Sequence, residues 1–123
     1  MIILGIDPGL ATTGYGIIKI ETRQYIHLTH GIISTAKSLS LAQRLSLIHQ
    51  ELTQIISIFK PDKVAVEELF VNKNVKTAMV VGAARGVILL TVAENHLPLF
   101  SFTPLQIKLA LVSYGRACKQ QVQ

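Results

Sequence analysis

The sequence predicts a mixed α/β domain with a five-stranded sheet, because the spacing of its apolar residues changes along the chain. Residues 2–35 are rich in β-branched and aromatic residues and are interrupted by turn signals. After this region, segments with helical spacing alternate with short apolar runs. We therefore expect three antiparallel strands, followed by helix, strand, helix, strand and helix, with the last two strands parallel to the first.

The strand predictions depend on short apolar runs that end in turn residues. The first run ends at Asp7-Pro8-Gly9, and a short polar segment at residues 21–24 separates the next two runs. Two short connections in succession predict an antiparallel meander. The predicted strands cover residues 2–6, 12–20, 25–35, 63–66 and 98–102.

The helix predictions depend on apolar residues that recur at three- and four-residue steps. Ser38 or Ser40 is the expected N-cap of the first helix, and Pro61 follows its end. The second helix is apolar around most of its circumference, which favours burial between other elements. Thr103-Pro104 is typical of the start of a third helix. The predicted helices cover about residues 40–59, 75–95 and 104–113.

The composition fits a single domain of 123 residues in a reducing compartment. Half of the residues are hydrophobic and the mean hydropathy is +0.45, which is high for a soluble domain. The longest apolar stretch, residues 78–93, is interrupted by Arg85 and is expected to be too short to cross a membrane. The N-terminal residues predict a strand rather than a signal peptide, and Cys118 has no partner for an internal disulfide. We therefore expect a cytoplasmic protein with no membrane partner.

The chain is basic, with 12 Lys and Arg against 7 Asp and Glu, a net charge of +5 and a pI near 9.6. This excess favours a phosphate-rich partner such as nucleic acid. Charge alone does not separate a nucleic-acid-binding protein from a basic protein of another kind. The four histidines form no cluster with metal-ligand spacing.

Asp7 and Glu67 are the candidate functional acids, because each follows a short apolar strand. If these strands are parallel neighbours, both side chains emerge at the carboxyl edge of the sheet, where ligands collect in open α/β folds. Taken alone, an Asp before Pro8-Gly9 is more often a turn-forming side chain. Strand alternation sends Glu67 and Glu68 to opposite faces, so at most one of them faces Asp7.

Two carboxylates at one sheet edge predict a metal site. Charged groups so near a core are seldom tolerated unless they are paired or bind metal. Carboxylate oxygens suit Mg²⁺ or Mn²⁺ and leave room for phosphate oxygens. On a basic protein, this predicts metal-assisted hydrolysis of phosphodiesters, with two ions about 3.5–4 Å apart.

Several motifs, in register along the whole chain, together resemble one known family. They are Ile3–Gly9, Thr13–Gly16, Val66–Phe70, Lys73-Asn74, Ala84–Val87 and Lys119–Gln123. This combination resembles the RuvC family of crossover junction endodeoxyribonucleases, which resolve Holliday junctions, and it is more specific than any one motif. The resemblance implies a ribonuclease H-like fold, in which helices flank the mixed sheet.

The resemblance also assigns roles to individual residues. The family's first-strand Asp and the Glu before its Phe are metal ligands, which correspond to Asp7 and Glu67 and favour Glu67 over Glu68. Phe70 corresponds to an aromatic residue that stacks on a base at the branch point, an interaction worth about 1–3 kcal/mol. The other expected DNA contacts are Lys73, Lys76, Lys108 and Lys119, the last two near the scissile phosphate.

The partners implied by the resemblance are four-way junction DNA, a second copy of the chain and a branch-migration helicase complex. The dimer would form through the second helix, in which Gly82 and Gly86 permit close approach, and its two-fold symmetry would suit two symmetric cuts. Glu68 and Arg85 are possible accessory residues. For Arg85, pairing with a carboxylate, contact with DNA and a position at a subunit boundary all remain open.

Members of the family continue into further helices, where an Asp-rich motif completes the metal site. This sequence ends at Gln123 and contains no Asp after Asp62. We therefore expect residues 1–123 to be a single nuclease domain truncated at its C-terminal end, with its last helices absent and an apolar surface left open. Such a chain is expected to cut junctions weakly or not at all.

Two other classes of function compete with a nuclease. A catalytically silent module that binds junctions or other DNA would fit the missing acids. An actin-like ATPase fragment also has a first strand that leads from Asp into a Gly-containing hairpin, but such enzymes need a second similar domain. DNA gel shifts with and without Mg²⁺ separate the first class from a nuclease, and calorimetry with ATP tests the second.

Overall fold

The computed structural model describes residues 1–68 and 74–102, which form five strands and two helices. In chain order these are β1 (Ile2–Asp7), β2 (Thr12–Glu21), β3 (Gln24–Ser34), α1 (Leu41–Phe59), β4 (Lys63–Glu67), α2 (Val75–Glu94) and β5 (Leu99–Phe102). Each boundary lies within one residue of the prediction. The helix predicted after Thr103-Pro104 lies outside the described residues.

The five strands form one sheet in the order β3-β2-β1-β4-β5. The pairs β1–β2 and β2–β3 are antiparallel, whereas β4 pairs in parallel with both β1 and β5. The helices α1 and α2 provide the long crossovers that parallel neighbours need. The predicted sheet, with three antiparallel strands followed by two parallel ones, is confirmed.

One hydrophobic core lies between the sheet and both described helices. It joins Leu4, Ile6, Val64 and Val66 of the central strands to Ile48, Leu52, Ile55 and Ile56 of α1 and to Ala84, Ile88 and Val92 of α2. Because alternate strand residues point to opposite faces, α1 and α2 cover the same face of the sheet. Asp7 and Glu67 alternate with the buried residues and therefore belong to the opposite face.

Helix α1 has well-defined ends. The Ser40 side chain accepts a hydrogen bond from the Gln43 amide, and the Gln43 side chain accepts one from the Ser40 amide, which completes a capping box. At the other end Lys60 adopts a left-handed conformation (φ 48°), and its amide donates to the Ile56 carbonyl. Ser40 rather than Ser38 is thus the N-cap, and the part played by Gln43 was not predicted.

Helix α2 has the predicted length but is less covered than its apolar composition predicted. It has 20 residues with a mean hydropathy of 1.7 over its most apolar window, so by length and composition alone it could cross a membrane. The apolar stretch at residues 78–93 was expected to be too short to cross a membrane, but this does not hold for the predicted helix that contains it, which runs from Val75 to Glu94. A helix in the core of a soluble protein passes the same test, and α2 packs on α1, where His49 Nδ1 lies 2.8 Å from Thr91 Oγ1.

Candidate metal centre

Asp7 and Glu67 lie side by side at the carboxyl edge of the sheet. Asp7 is the last residue of β1 and Glu67 is the last residue of β4. The residues before them, Ile6 and Val66, are paired in the parallel register, so the two acids have matching positions on the same face. Their carboxyl groups are within hydrogen-bonding reach of each other.

This proximity changes the acidity of Glu67. Burial, a hydrogen bond with Asp7 and the negative charge of Asp7, in decreasing order, all raise the pKa of Glu67 above its ordinary value of 4.5. A cation held by both carboxylates would offset the repulsion that Asp7 exerts on charged Glu67 and would take the place of the proton on Glu67. The donor set and the electrostatics of the pair therefore fit a divalent metal ion.

A tight turn follows Asp7. A Cβ atom at Gly9 would overlap the Thr12 carbonyl oxygen, so the turn has no room for a side chain at that position. The Thr13 hydroxyl is buried and donates a 2.6 Å hydrogen bond to the Gly9 carbonyl. Sequence reasoning did not identify Thr13 as a residue that supports the site. The available signal was a threonine on the core-facing side of β2, where an apolar residue is expected.

Two glycines leave the sheet surface next to the two acids without side chains. Gly14 is paired with Asp7 and Gly16 with Gly5, so these glycines share the face that carries the two carboxylates. In the described part of the chain, no atom lies within 4 Å of a Cβ built on Gly16, and the nearest to one on Gly14 is Asp7 Cβ at 3.8 Å. None of the described glycines has a positive φ. Neither backbone conformation nor internal packing therefore requires glycine here.

The other predicted residues fall into three groups. Glu68 is exposed and one position past the end of β4, and Lys76 is exposed in the first turn of α2. Arg85 donates a 3.2 Å hydrogen bond from Nη2 to Ser101 Oγ, while its buried Nε has no partner within the described residues. Four predicted DNA contacts lie outside residues 1–68 and 74–102, namely Phe70, Lys73, Lys108 and Lys119.

Arg85 has no carboxylate partner in the described part of the chain. Pairing with a carboxylate, the first of its three alternatives, therefore finds no support among these residues. Ser101, to which Arg85 is bonded, is paired with Val66, the residue before Glu67. The hydrogen bond between Arg85 and Ser101 thus links α2 to β5, beside the residue of β4 that precedes Glu67.

Two carboxylates are all that the described residues bring together. Among residues 1–68 and 74–102, no group of three or more His, Cys, Asp and Glu side chains is placed to hold a metal ion. Residues 95–123 include no Asp or Glu. Asp7 and Glu67 would therefore hold an ion together with water, substrate oxygens or ligands outside the described residues.

The sequence has many relatives of one kind. It matches the family model described as crossover junction endodeoxyribonuclease RuvC over residues 3–123. Relatives of that name include those of Alkaliphilus oremlandii, 52% identical over 123 residues, and Ruminiclostridium cellulolyticum, 48% identical over 123 residues. These alignments cover all of this chain and 75% and 74% of the two relatives.

The fold is similar to that of Thermus thermophilus RuvC, including its structure in complex with a Holliday junction substrate. The complex superposes with a TM-score of 0.83 and 30% sequence identity, covering 90% of this chain and 69% of the other. The yeast mitochondrial Holliday junction resolvase, at 17% identity and a TM-score of 0.63, shares the fold alone. The expected ribonuclease H-like fold is confirmed by the match to the T. thermophilus protein.

Proposed function

The chain belongs to the RuvC family of crossover junction endodeoxyribonucleases, and we propose that it resolves four-way DNA junctions by metal-dependent hydrolysis of paired phosphodiester bonds. The family model covers nearly the whole chain, and the enzyme class is that of a hydrolase acting on DNA. Such paired cuts would serve recombination and repair. The two alternative functions, a catalytically silent DNA-binding module and an ATPase fragment, gain no support from these similarities.

The observation that carries the proposal is the contact between Asp7 and Glu67. Both acids end parallel neighbouring strands, share one face and lie close enough to hydrogen bond. We propose that both are metal ligands and catalytic residues, with Mg²⁺ as the ion and Mn²⁺ as a substitute. Glu68, one position further and exposed, would play at most an accessory part.

The protein's own groups then have distinct tasks. A bound divalent ion would supply Lewis-acid activation of water and neutralise charge at the scissile phosphate. Asp7 and Glu67 would hold that ion, and Glu67 must be deprotonated to do so. Gly14 and Gly16 leave the surface beside the carboxylates low, which would allow the sugar–phosphate backbone to come close.

DNA binding would depend on basic and aromatic residues around this edge. We propose that Lys76, exposed at the start of α2, meets a phosphate. By family correspondence Phe70 would stack on a base at the branch point, and Lys73, Lys108 and Lys119 would contact the DNA backbone. Arg85 would act as an accessory residue.

We also propose a homodimer that forms through α2. This helix exposes several large apolar side chains, including Val75 at 66%, Met79 at 70% and Leu90 at 56%. An apolar surface of this kind is typical of an interface, and two-fold symmetry would suit a substrate that is cut twice. A branch-migration helicase complex as partner and a cytoplasmic location complete the proposal.

A polypeptide of these 123 residues is proposed to cut junctions weakly or not at all, because two carboxylates give an ion few protein ligands. It is still expected to bind a four-way junction in preference to linear duplex in gel shifts. Any Mg²⁺- or Mn²⁺-dependent cleavage should disappear in Asp7→Asn and Glu67→Gln. Glu21→Gln, which removes an exposed acid from the end of β2, is the matched control and should change neither binding nor cleavage.

The proposal fails if the chain binds linear and four-way DNA equally. Where the unmodified chain shows metal-dependent cleavage, the assignment of Asp7 and Glu67 fails if Asp7→Asn and Glu67→Gln cut as fast. Junction binding without cleavage at any metal concentration would favour the silent binding module for this polypeptide.

A further inference from the structure

We propose that Thr35 and Arg44 are positioning residues that hold the turn after Asp7, and through it the Asp7 carboxylate, in the geometry needed for metal binding. The inference rests on the proposed metal role of Asp7 and Glu67. The turn, residues 8–11, joins β1 to β2 and follows Asp7 directly. Neither Thr35 nor Arg44 touches the metal site itself.

Thr35 binds two successive carbonyl groups of this turn. Its hydroxyl donates a 2.6 Å hydrogen bond to the Leu10 carbonyl, and its amide donates a 3.1 Å bond to the Ala11 carbonyl. Thr35 lies just past β3 and is only 6% exposed. In such a buried position, these hydrogen bonds meet little competition from water, and their loss leaves unpaired carbonyl groups.

Arg44 extends the contact to α1. Its Nε donates a 2.8 Å hydrogen bond to the Thr35 hydroxyl oxygen, and its Nη2 donates a 3.2 Å bond to the Thr35 carbonyl. The Thr35 hydroxyl has one proton, which goes to Leu10, so toward Arg44 it acts only as acceptor. The result is a directed chain of hydrogen bonds from Arg44 through Thr35 to Leu10, which we call the Arg44–Thr35–Leu10 chain.

Helix stability does not explain Arg44. It lies four residues after the N-cap of α1, where a positive charge opposes the helix dipole. No Asp or Glu pairs with it in the part of the chain that the structure describes. Its half-buried guanidinium finds its side-chain partner in Thr35. The contact to the turn is therefore what the arginine contributes.

The bonds of Thr35, together with the bond from the Thr13 hydroxyl to the Gly9 carbonyl, hold a turn that has open space on one side. Residues 9–12 border an open cavity of about 540 Å³, whose other walls include Arg44, Val80 and Val81. A segment with open space beside it has few contacts to resist displacement. Loss of a group that hydrogen-bonds a metal ligand typically costs about 10–100-fold in metal affinity, and Thr35 acts one step further from the metal, so the lower end of this range is expected.

The test compares Mn²⁺ binding, measured by calorimetry, in variants of the full chain. Thr35→Val keeps the side-chain size but removes the hydroxyl, and it should weaken binding about tenfold. It should also speed hydrogen exchange at the amides of the turn. Thr35→Ser, which restores the hydroxyl, should bind like the unmodified chain. Arg44→Lys keeps the charge but loses the two-point contact, and it should give an intermediate loss.

Thr53→Val is the matched control, because Thr53 also lies on the half-buried side of α1 and donates a 2.7 Å hydrogen bond, but to the His49 carbonyl. It should leave Mn²⁺ affinity unchanged at a temperature where circular dichroism shows every variant folded. If Thr35→Val does not fold, the inference is tested by comparing the Mn²⁺ affinity of Arg44→Lys with that of Thr53→Val.

Two outcomes overturn the inference in distinguishable ways. Mn²⁺ affinity that depends on Asp7 but is unaffected in folded Thr35→Val and Arg44→Lys rejects the positioning role and leaves the proposed function intact. Mn²⁺ affinity that is the same in the unmodified chain and Asp7→Asn rejects the metal site, and the positioning role falls with it.

Discussion

At Glu67, burial and the neighbouring Asp7 both disfavour the charged form of the carboxyl group, so that its pKa is raised on folding. A group with a raised folded-state pKa stabilises the fold at pH below its unfolded value and loses that contribution as the pH rises through the folded value. As the pH rises through its raised folded-state pKa, the metal-free protein must therefore hold Glu67 in its less favourable, charged form. The charged form of Glu67 beside Asp7 therefore does not stabilise the metal-free fold.

Glu67→Gln should therefore raise the thermal unfolding temperature of the metal-free protein at neutral pH. The gain should vanish as the pH falls below the folded-state pKa of Glu67, because the native side chain is then neutral too. Thermal unfolding in a chelating buffer at several pH values measures this. Glu21→Gln, at an exposed ion pair with Lys19, is the control and should change little. A lower unfolding temperature for Glu67→Gln at neutral pH contradicts the account.

At the scale of elements, the spacing of apolar residues was enough to predict most helices and strands. The ends of α1 needed more than a period, because Ser38 and Ser40 are both plausible caps and only the reciprocal bonds with Gln43 distinguish them. The spacing of apolar residues also could not show how much of the α2 surface is buried, since a helix that is apolar on all sides has no preferred face.

Removal of the N-cap of α1 gives a prediction at this scale. Ser40→Ala should cost about 1 kcal/mol of folding stability, because it leaves the Gln43 amide without its acceptor. For a domain of this size that is a fall of about 4 °C in the unfolding temperature. Ser38→Ala is the control. Equal effects of the two substitutions in thermal unfolding contradict the assigned cap.

The low surface of β2 gives a second prediction. Gly16→Ala meets no described atom within 4 Å and needs no unusual backbone conformation, so folding stability should not fall and Mn²⁺ affinity should stay unchanged. Junction cleavage by a complete enzyme of this family carrying the same change should fall, by up to about 100-fold if the scissile phosphate is displaced by 1 Å. Unchanged cleavage would show that the substrate does not approach this surface.

For the whole molecule, connection lengths were enough to predict the sheet. Short links imply antiparallel neighbours and helical crossovers imply parallel ones, which brought Asp7 and Glu67 to one edge. The contacts of Thr35 and Arg44 could not be predicted, because the bond from Thr35 to Leu10 joins residues 25 positions apart and local patterns do not report such pairs. The choice of Glu67 over Glu68 came from family resemblance, and the register of β4 with β1 supports it.

The central claim is that Asp7 and Glu67 together bind the divalent ion on which DNA cleavage by this family depends. Calorimetric titration of Mn²⁺ into the unmodified chain, Asp7→Asn and Glu67→Gln tests this most directly. The account predicts binding to the unmodified chain that weakens as the pH falls toward the raised pKa of Glu67, and loss of that binding in either variant. Equal affinity in all three proteins would contradict it.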